Sequence, residues 1–509
     1  MSDTTNSKRI AKNTLVLYIQ MFVSMLIGLY ISRVVLNVLG VEDFGLYNVI
    51  GGVVAMFGVL NSAMASSTSR FITFELGRGN NDRLKSVFSV SLLIHLLIAL
   101  LICVLAETVG LWFLKTRMQI PPLRMQAAVW VFHFSIISAF ISIINVPYSA
   151  VIIAHEKMGV FAYFSILDMV LKLVVVFLLQ SVDFDKLKIY AMMLVIAQVI
   201  MQIIYWGYCF RKFDEARGGI KWNKPLFKEM ASFAGWSMFG DSAFLLFTQG
   251  INILLNIFFG ATVNAARGIA VQVQGVISRF ISGFQTALNP QITKSYAAND
   301  LTYMHKLIYV SSKYSFFLLL LLSLPVFLDI ENLLIWWLKI VPEHTVNFVR
   351  VMLLISLVDS LANPLVFAAK ATGRIKVYQS ILGSLLLLVV PLGYVALKFG
   401  LPPESVFIVH LVIVIIGQIV RVWLIRNMIE LPLKEYLVQV VYKCFIVLLI
   451  SPIVPFILYH LLDESIYRFI VIVFTSCISI LTIGYVLALD KSEKLFLIDS
   501  VKLIAKKYK

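Results

Sequence analysis

Charge is scarce in this 509-residue sequence. Asp, Glu, Lys and Arg together make up 14% of it, against 60% hydrophobic residues, and an ordinary soluble domain carries about 25% charged residues. That shortage excludes a soluble globule. Cysteine is nearly absent: the four residues, Cys103, Cys209, Cys444 and Cys477, fall in or at the edge of apolar runs. They read as small packing residues rather than a disulfide framework. Long polar stretches are missing too. The segments between apolar runs reach about 20 residues at most, which excludes a separate soluble catalytic domain. No group of residues has metal-ligand spacing, and no cofactor is expected. Acidic residues number 27 against 43 basic ones, yet nucleic-acid binding would need a soluble basic face, and the chain has none.

What the sequence does have is apolar runs long enough to cross a membrane as helices, in which every backbone amide finds its partner within the segment. About fourteen are expected, near residues 14–38, 44–67, 86–112, 126–153, 158–180, 188–210, 230–258, 262–288, 308–330, 346–369, 376–398, 404–425, 436–461 and 466–489. Lys8, Arg9 and Lys12 precede a first run too long for a signal-peptide core, so that run is expected to stay as an anchor. The fold class is an all-α polytopic membrane protein.

Basic residues fall unevenly on alternate loops. One set holds about 27 of them, including Lys8, Arg9 and Lys12, then Arg70, Arg78, Arg83 and Lys85, then the cluster from Arg211 to Lys228, and finally the lysines of the tail. The other set holds about 8. The positive-inside rule then places both termini in the cytoplasm, as an even number of spans requires. Basic loops beside an anionic leaflet account for most of the net charge of +16,.

Three signatures occur twice in the same order, about 220 residues apart. Leu36-Asn37 with Gly40 recurs as Leu255-Asn256 with Gly260. Trp112-Phe113-Leu114-Lys115 recurs as Trp336-Trp337-Leu338-Lys339. Asn145 and Pro147, followed by Tyr163 and Leu167, are answered by Asn363-Pro364, Tyr378 and Leu382. Each copy spans six helices, an even number, so the copies are expected to be parallel and related by an axis along the membrane normal. The expected organisation is a lobe at 1–220, a second lobe at 225–430, two further helices at 436–489 and a basic cytoplasmic tail at 490–509. The tail alternates apolar and basic residues, as an amphipathic helix lying on the inner leaflet or a frayed basic end would.

Further motifs resemble a known family. Leu39-Gly40-Val41-Glu42-Asp43-Phe44-Gly45-Leu46-Tyr47 lies at the turn between the first two spans, and Ser69-Arg70 precedes Gly77-Arg78-Gly79-Asn80-Asn81-Asp82 and Phe88-Ser89. In the second half stand Asn289-Pro290, Tyr296-Ala297-Ala298-Asn299-Asp300, Trp337-Leu338 and Pro342. In order and spacing these resemble the polysaccharide transport family of the multidrug/oligosaccharidyl-lipid/polysaccharide (MOP) exporter superfamily, over nearly the whole chain. The resemblance implies a flippase of the bacterial inner membrane that moves an undecaprenyl-diphosphate-linked oligosaccharide for O-antigen or capsule synthesis. It also implies membrane lipids and polysaccharide assembly proteins as partners. The related lipid II flippases hold the lipid tail at their last two helices, a role the pair at 436–489 would fit. They also carry basic residues in the second helix, whereas here the second span has none before Arg70, which favours the oligosaccharide branch.

Charged residues deep in a span are costly, so they face a cavity or a partner. Arg33, Lys172, Arg267 and Arg279 lie deepest among the cations. A translocating diphosphate needs compensating positive charge, and the guanidinium fork matches phosphate oxygens. Arg33, Arg267, Arg279 and Lys172 are therefore the substrate-binding candidates, against the alternative of pairing with carboxylates or carbonyls. Asp168 and Lys172, four apart in the fifth span, share a helix face and are expected to pair. With Asp168, Asp241 in the seventh span and Asp359 in the tenth are the ion-coupling candidates. Lys313, Arg421 and Lys443 near cytoplasmic ends, and Arg350 near a periplasmic start, read as snorkelling side chains. His95, His133 and His410 read as polar packing residues, and Pro147, Pro290, Pro325, Pro364 and Pro391 as kinks or hinges.

A cation-coupled exporter of cationic drugs would be dominated by acidic residues in its cavity, and the deep basic residues argue against it. A membrane-embedded glycan polymerase would need a sizeable outward loop with catalytic residues. The chain is expected to be a transporter rather than an enzyme.

Overall fold

The computed structural model describes residues 3–494 except 56–57, 117, 119, 182, 220, 339–340 and 491–492. The tail beyond Lys494, whose amphipathic reading was open, lies outside the described residues. So does Lys339 of the second Trp-Leu-Lys signature. Among the described residues there are helices and turns and no strand. Twelve of these helices or helix runs are long and apolar enough to cross a membrane, and they make this a multi-pass membrane protein,. The eighth expected span is helical and the second is helical in its described residues, which exclude 56–57, but neither is among the twelve. Their helices carry Asn61, Ser66, Ser67, Thr68 and Ser69 in one case and Asn264, Gln272, Gln274, Gln285 and Thr286 in the other.

The chain divides into two compact units, 11–241 and 242–509 together with residues 1–10. The division falls inside a helix. The first unit contains α1 (Asp3–Ala55) from residue 11 onward, α2 (Gly58–Arg78), α3 (Asn81–Leu105), α4 (Leu111–Thr116), α5 (Met125–Ala154), α6 (Met158–Gln180), α7 (Lys186–Lys212) and the beginning of α8 (Lys224–Phe259). A π-helical turn, Ala106–Gly110, joins α3 to α4. Helices α2, α3 and α5 pack on one another, and α7 packs on α5 and α6. Val131 and Phe132 of α5 are buried with Ala106, Leu114, Leu187 and Ala191, while Val35 of α1 is buried against Val175 and Val176 of α6.

The second unit continues from α8 through α9 (Ala261–Ala297), α10 (Leu301–Leu328), α11 (Ile330–Leu338), α12 (Thr345–Thr372), α13 (Lys376–Leu387), α14 (Val389–Lys398) and α15 (Glu404–Ile429). It ends with α16 (Leu433–Tyr436), α17 (Lys443–Ile450), α18 (Ile453–Leu461) and α19 (Ile466–Ile483). Helix α12 is its centre, packed by α9, α10 and α15. Small residues on α12, among them Ser356, Ser360, Ala362, Ala368, Ala369 and Ala371, are buried there. Small side chains let helices approach closely, which matters in a solvent as apolar as the side chains themselves. The two helices beyond the duplication, α17–α18 and α19, pack on α10.

Within each unit the same backbone devices recur. Gly40 bends α1 with φ 80° and ψ 168°, and Gly260 caps α9 with φ 78° and ψ −165°. A positive φ of this kind is open to glycine and strained for other residues. At the next turn Gly79 has φ 70° and Asn299 φ 61°. Each is followed by a helix whose N-cap side chain accepts a backbone N–H: Asn80 from Arg83 at 3.0 Å, Asp300 from Tyr303 at 3.0 Å,. Pro147 and Pro364 both sit inside the fourth helix of their copy. Copies of one sequence plan have thus kept the positions where the backbone must depart from helix.

Candidate functional site

The family-like motif at the first turn serves the scaffold. Asp43, which is buried, accepts two bonds from Arg124: Nε donates at 2.8 Å to Oδ1 and Nη2 donates to Oδ2. The remaining arm of Arg124 reaches Asp185 at 3.3 Å, and Asp185 caps α7 by accepting the Leu187 N–H at 3.2 Å. One guanidinium therefore ties the first turn to the starts of α5 and α7. The sequence reading passed over this link, although a basic residue among short outward turns was a signal for it.

The deep acidic residues are largely occupied. Asp168 pairs with Lys172 at 2.7 Å along α6, as the four-residue spacing requires,. This brings a substrate-binding candidate and an ion-coupling candidate into a single neutral pair. Asp359 is exposed on α12, within electrostatic reach of Arg421 on α15. Arg421 itself donates to the Tyr378 hydroxyl at 3.0 Å and to Gln418 at 2.7 Å, so it is bound into the second unit rather than extended to an interface. Asp241 is half-buried on α8.

The four cations divide differently. Arg267 is buried between α8 and α9, where Nη1 donates to the Asn252 side chain and Nη2 to the Thr248 carbonyl at 3.0 Å. Its neighbour Asn264 donates to the Asn252 carbonyl at 3.0 Å. That places Arg267 inside a hairpin clasp. Arg33 on α1 and Arg279 on α9 are exposed, and among the described residues neither side chain has a hydrogen-bond or ion-pair partner.

Arg279 lies on a continuous polar face. Gly268, Gln272, Gly275, Arg279, Ser282 and Thr286 follow at alternating steps of four and three along α9, the spacing that keeps residues on one side of a helix. The opposite side is core: Ala266, Ala270, Ile277, Ile281 and Leu288 are buried. Ser282 and Thr286 return their hydroxyl protons to carbonyls of their own helix, at 3.1 and 2.7 Å. The exposed line through Arg279 is polar, although Val271 and Val276 on its flanks are exposed too. Behind that face Gln274 donates to Ser356 at 2.7 Å, Gln285 to Ser315 at 3.1 Å and Asn363 to Gln285 at 3.2 Å. These bonds fix the rotation of α9 against α10 and α12, and with it the direction of Arg279.

The first unit holds a separate, partly open cavity of about 280 Å³ whose lining includes Tyr47, Asn61 and the serines Ser135, Ser138 and Ser142 of α5. Ser138 donates to Gln198 at 2.5 Å and Gln198 to Ser142 at 3.4 Å. Its lining is uncharged. Among the described residues no group of His, Cys, Asp and Glu is placed to hold a metal ion.

The strongest ion pairs lie where the sequence reading expected snorkelling or nothing. Lys313 is almost fully buried, and its Nζ donates to Glu493 at 2.7 Å and to the Ala488 carbonyl at 3.3 Å. A buried ammonium needs a carboxylate more than it needs water, so the snorkelling reading of Lys313 is corrected. Lys443 likewise bonds Asp490 at 2.5 Å and Gln439 at 2.6 Å. At the end of α10, Asp329 pairs with Arg468 at 2.7 Å, both buried.

Solved structures share this fold. The chain is similar to the crystal structure of a MATE mutant, at 15% identity and a TM-score of 0.73, over 84% of this chain and 97% of that one. It is similar to an outward-facing multidrug resistance MATE family transporter of the MOP superfamily, at 15% identity and a TM-score of 0.72, over 84% and 96%. A third is a MOP superfamily transporter from Pyrococcus furiosus, described as having a binding pocket of reverse polarity that suggests a different function. It matches at 15% identity and a TM-score of 0.67, over 84% and 97%. These likenesses establish the two-lobed MATE-like fold. No curated protein matches the chain. The family model described as "Polysaccharide biosynthesis protein" matches residues 10–296, more than half of the sequence, and the chain belongs to that family.

Proposed function

We propose that this protein is a flippase for an undecaprenyl-diphosphate-linked oligosaccharide, working by alternating access in the bacterial inner membrane with both termini in the cytoplasm. The observation that carries this reading is the imbalance of exposed deep charge. Asp168 is neutralised by Lys172 and Asp359 lies within reach of Arg421, while Arg279 and Arg33 have no partner among the described residues. A diphosphate supplies the missing counter-charge, and the hydroxyl and amide groups flanking Arg279 suit a glycan. The assembly proteins of surface polysaccharide are the expected partners. Replacing Arg279 or Arg33 by Ala is expected to abolish surface glycan in a strain that depends on this gene, at normal protein level. Full glycan display with both variants would overturn the assignment.

A multidrug exporter is the second reading, favoured by the MATE-like fold and by the multidrug resistance transporter among the solved neighbours. Cationic drugs call for exposed acidic groups. Within this superfamily a pocket of reversed polarity has been taken to suggest a different function, and the exposed cations here support an anionic cargo. Resistance to cationic drugs conferred on a sensitised host would favour the exporter instead.

A further inference from the structure

An apolar groove lies in the first unit, on helix faces that the transport reading does not use. The start of α8 packs its Leu226, Met230 and Phe233 side inward: Ser67 donates to the Met230 carbonyl at 3.1 Å, and Phe233 meets Phe71 edge-on at 5.9 Å. The adjacent side of the same helix carries Lys224, Lys228, Ala231, Gly235 and Met238 at alternating steps of four and three, and so on one face, with Phe227 beside them,. Phe227, Ala231, Gly235 and Met238 form one wall of a groove of about 290 Å³, and Ile94, Leu97 and Leu101 of α3 form the other.

The groove opens to hydrocarbon. Leu97 and Leu101 are about half exposed, as are Leu100 and Val104 beside them, and a helix face with only apolar residues exposed is one that meets lipid. Its depth comes from Ala231 and Gly235, and a Cβ built at Gly235 would meet no atom within 4 Å. The cations stand at one end only. Lys224 and Lys228 bracket Phe227, are exposed, and have no partner among the described residues. The nearby Glu229 is engaged by Arg83 at 3.3 Å. From Lys224 to Met238 the helix rises about 20 Å, more than the roughly 15 Å of one leaflet's hydrocarbon.

We propose that this groove is a seat for an anionic phospholipid of the leaflet on the Lys224 side. One acyl chain runs along Ala231, Gly235 and Met238 while the phosphate meets Lys224 and Lys228. The seat is independent of what the protein transports. It would fix the start of α8, the helix within which the two compact units divide.

The test uses the whole protein in nanodiscs of equal parts phosphatidylglycerol and phosphatidylcholine, released into detergent and weighed by native mass spectrometry. Wild-type protein is expected to retain phosphatidylglycerol over phosphatidylcholine. Lys224→Gln with Lys228→Gln should lose that preference, by about fivefold per lysine removed. Gly235→Trp should lose the retained lipid itself, and Ala231→Leu serves the same purpose if the tryptophan variant is not monodisperse. Equal retention of the two lipids by wild type, or an unchanged preference in the double lysine variant, would overturn the proposal. Retention unchanged in a well-folded groove-filling variant would overturn it as well.

Discussion

Arg468, at the start of the last helix, reaches Asp329 at the end of α10 across 2.7 Å, and neither side chain is open to solvent. The guanidinium also lies over the Tyr459 ring at 4.6 Å, and Asn332 adds a bond to the same carboxylate oxygen at 2.8 Å. Near the middle of α10, Lys313 is held by Glu493. The chain beyond the duplication is thus pinned to α10 at two points, the middle and the end of that helix, by buried ion pairs. Leaving one partner of such a pair alone costs about 3–5 kcal/mol, whereas replacing both with apolar groups is often neutral. Asp329→Ala should therefore lower the thermal unfolding midpoint in detergent sharply. The double variant Asp329→Leu with Arg468→Met should recover most of the loss.

Arg124 offers a test of geometry rather than charge. Its fork serves Asp43 with two nitrogens and Asp185 with a third. Arg124→Lys keeps the charge and loses the fork, so about 1.5–3 kcal/mol of stability should go with it. A melting midpoint equal to wild type would mean that a point charge suffices at this turn.

The matching glycines make a paired prediction. Gly40→Ala and Gly260→Ala each place a Cβ on a backbone with φ near 80°. Each should cost about 1–2 kcal/mol, and similar amounts because the two turns are copies. Hydrogen exchange at the two turns would show whether the losses match.

Glu75 carries a pH dependence. Burial raises its carboxyl above the ordinary value, against the lowering pull of Arg83, Arg78 and Arg70, and its Oε2 has no hydrogen-bond partner. A carboxyl raised in the folded state binds its proton more tightly there than in the unfolded chain. Its contribution is present below the unfolded value and is lost as pH rises through the folded one. Glu75→Gln should therefore flatten the fall in unfolding midpoint as pH rises from the ordinary carboxylate range toward neutrality. An unchanged slope would show that the arginines fully offset burial.

Much of this was legible in the sequence, for physical reasons. Apolar runs declare helices in a membrane because nothing else there satisfies the backbone, and the i, i+4 spacing of Asp168 and Lys172 declared their pair. The repeated Gly40 and Gly260 were visible because an unusual φ restricts the residue type. Partners far apart in sequence were not legible. Arg267 looked like a substrate ligand, and only the fold shows Asn252 and Thr248 beside it. Lys313 looked like a snorkelling residue, and only the return of the chain at Glu493 shows that it is buried. The eighth span fell short as a membrane helix because its polar residues serve internal bonds such as Gln274 to Ser356 and the exposed face around Arg279.

The central claim is that unpartnered cations on α1 and α9 carry an anionic lipid-linked glycan across the bilayer. Its most direct test is protein reconstituted into vesicles loaded with undecaprenyl-diphosphate-linked oligosaccharide, reading how fast the glycan becomes accessible to a lectin or glycosidase added on the other side. Wild-type protein should accelerate exposure, and Arg279→Ala combined with Arg33→Ala should abolish the acceleration while leaving vesicle incorporation unchanged. Equal rates for wild-type and doubly substituted protein would contradict the account.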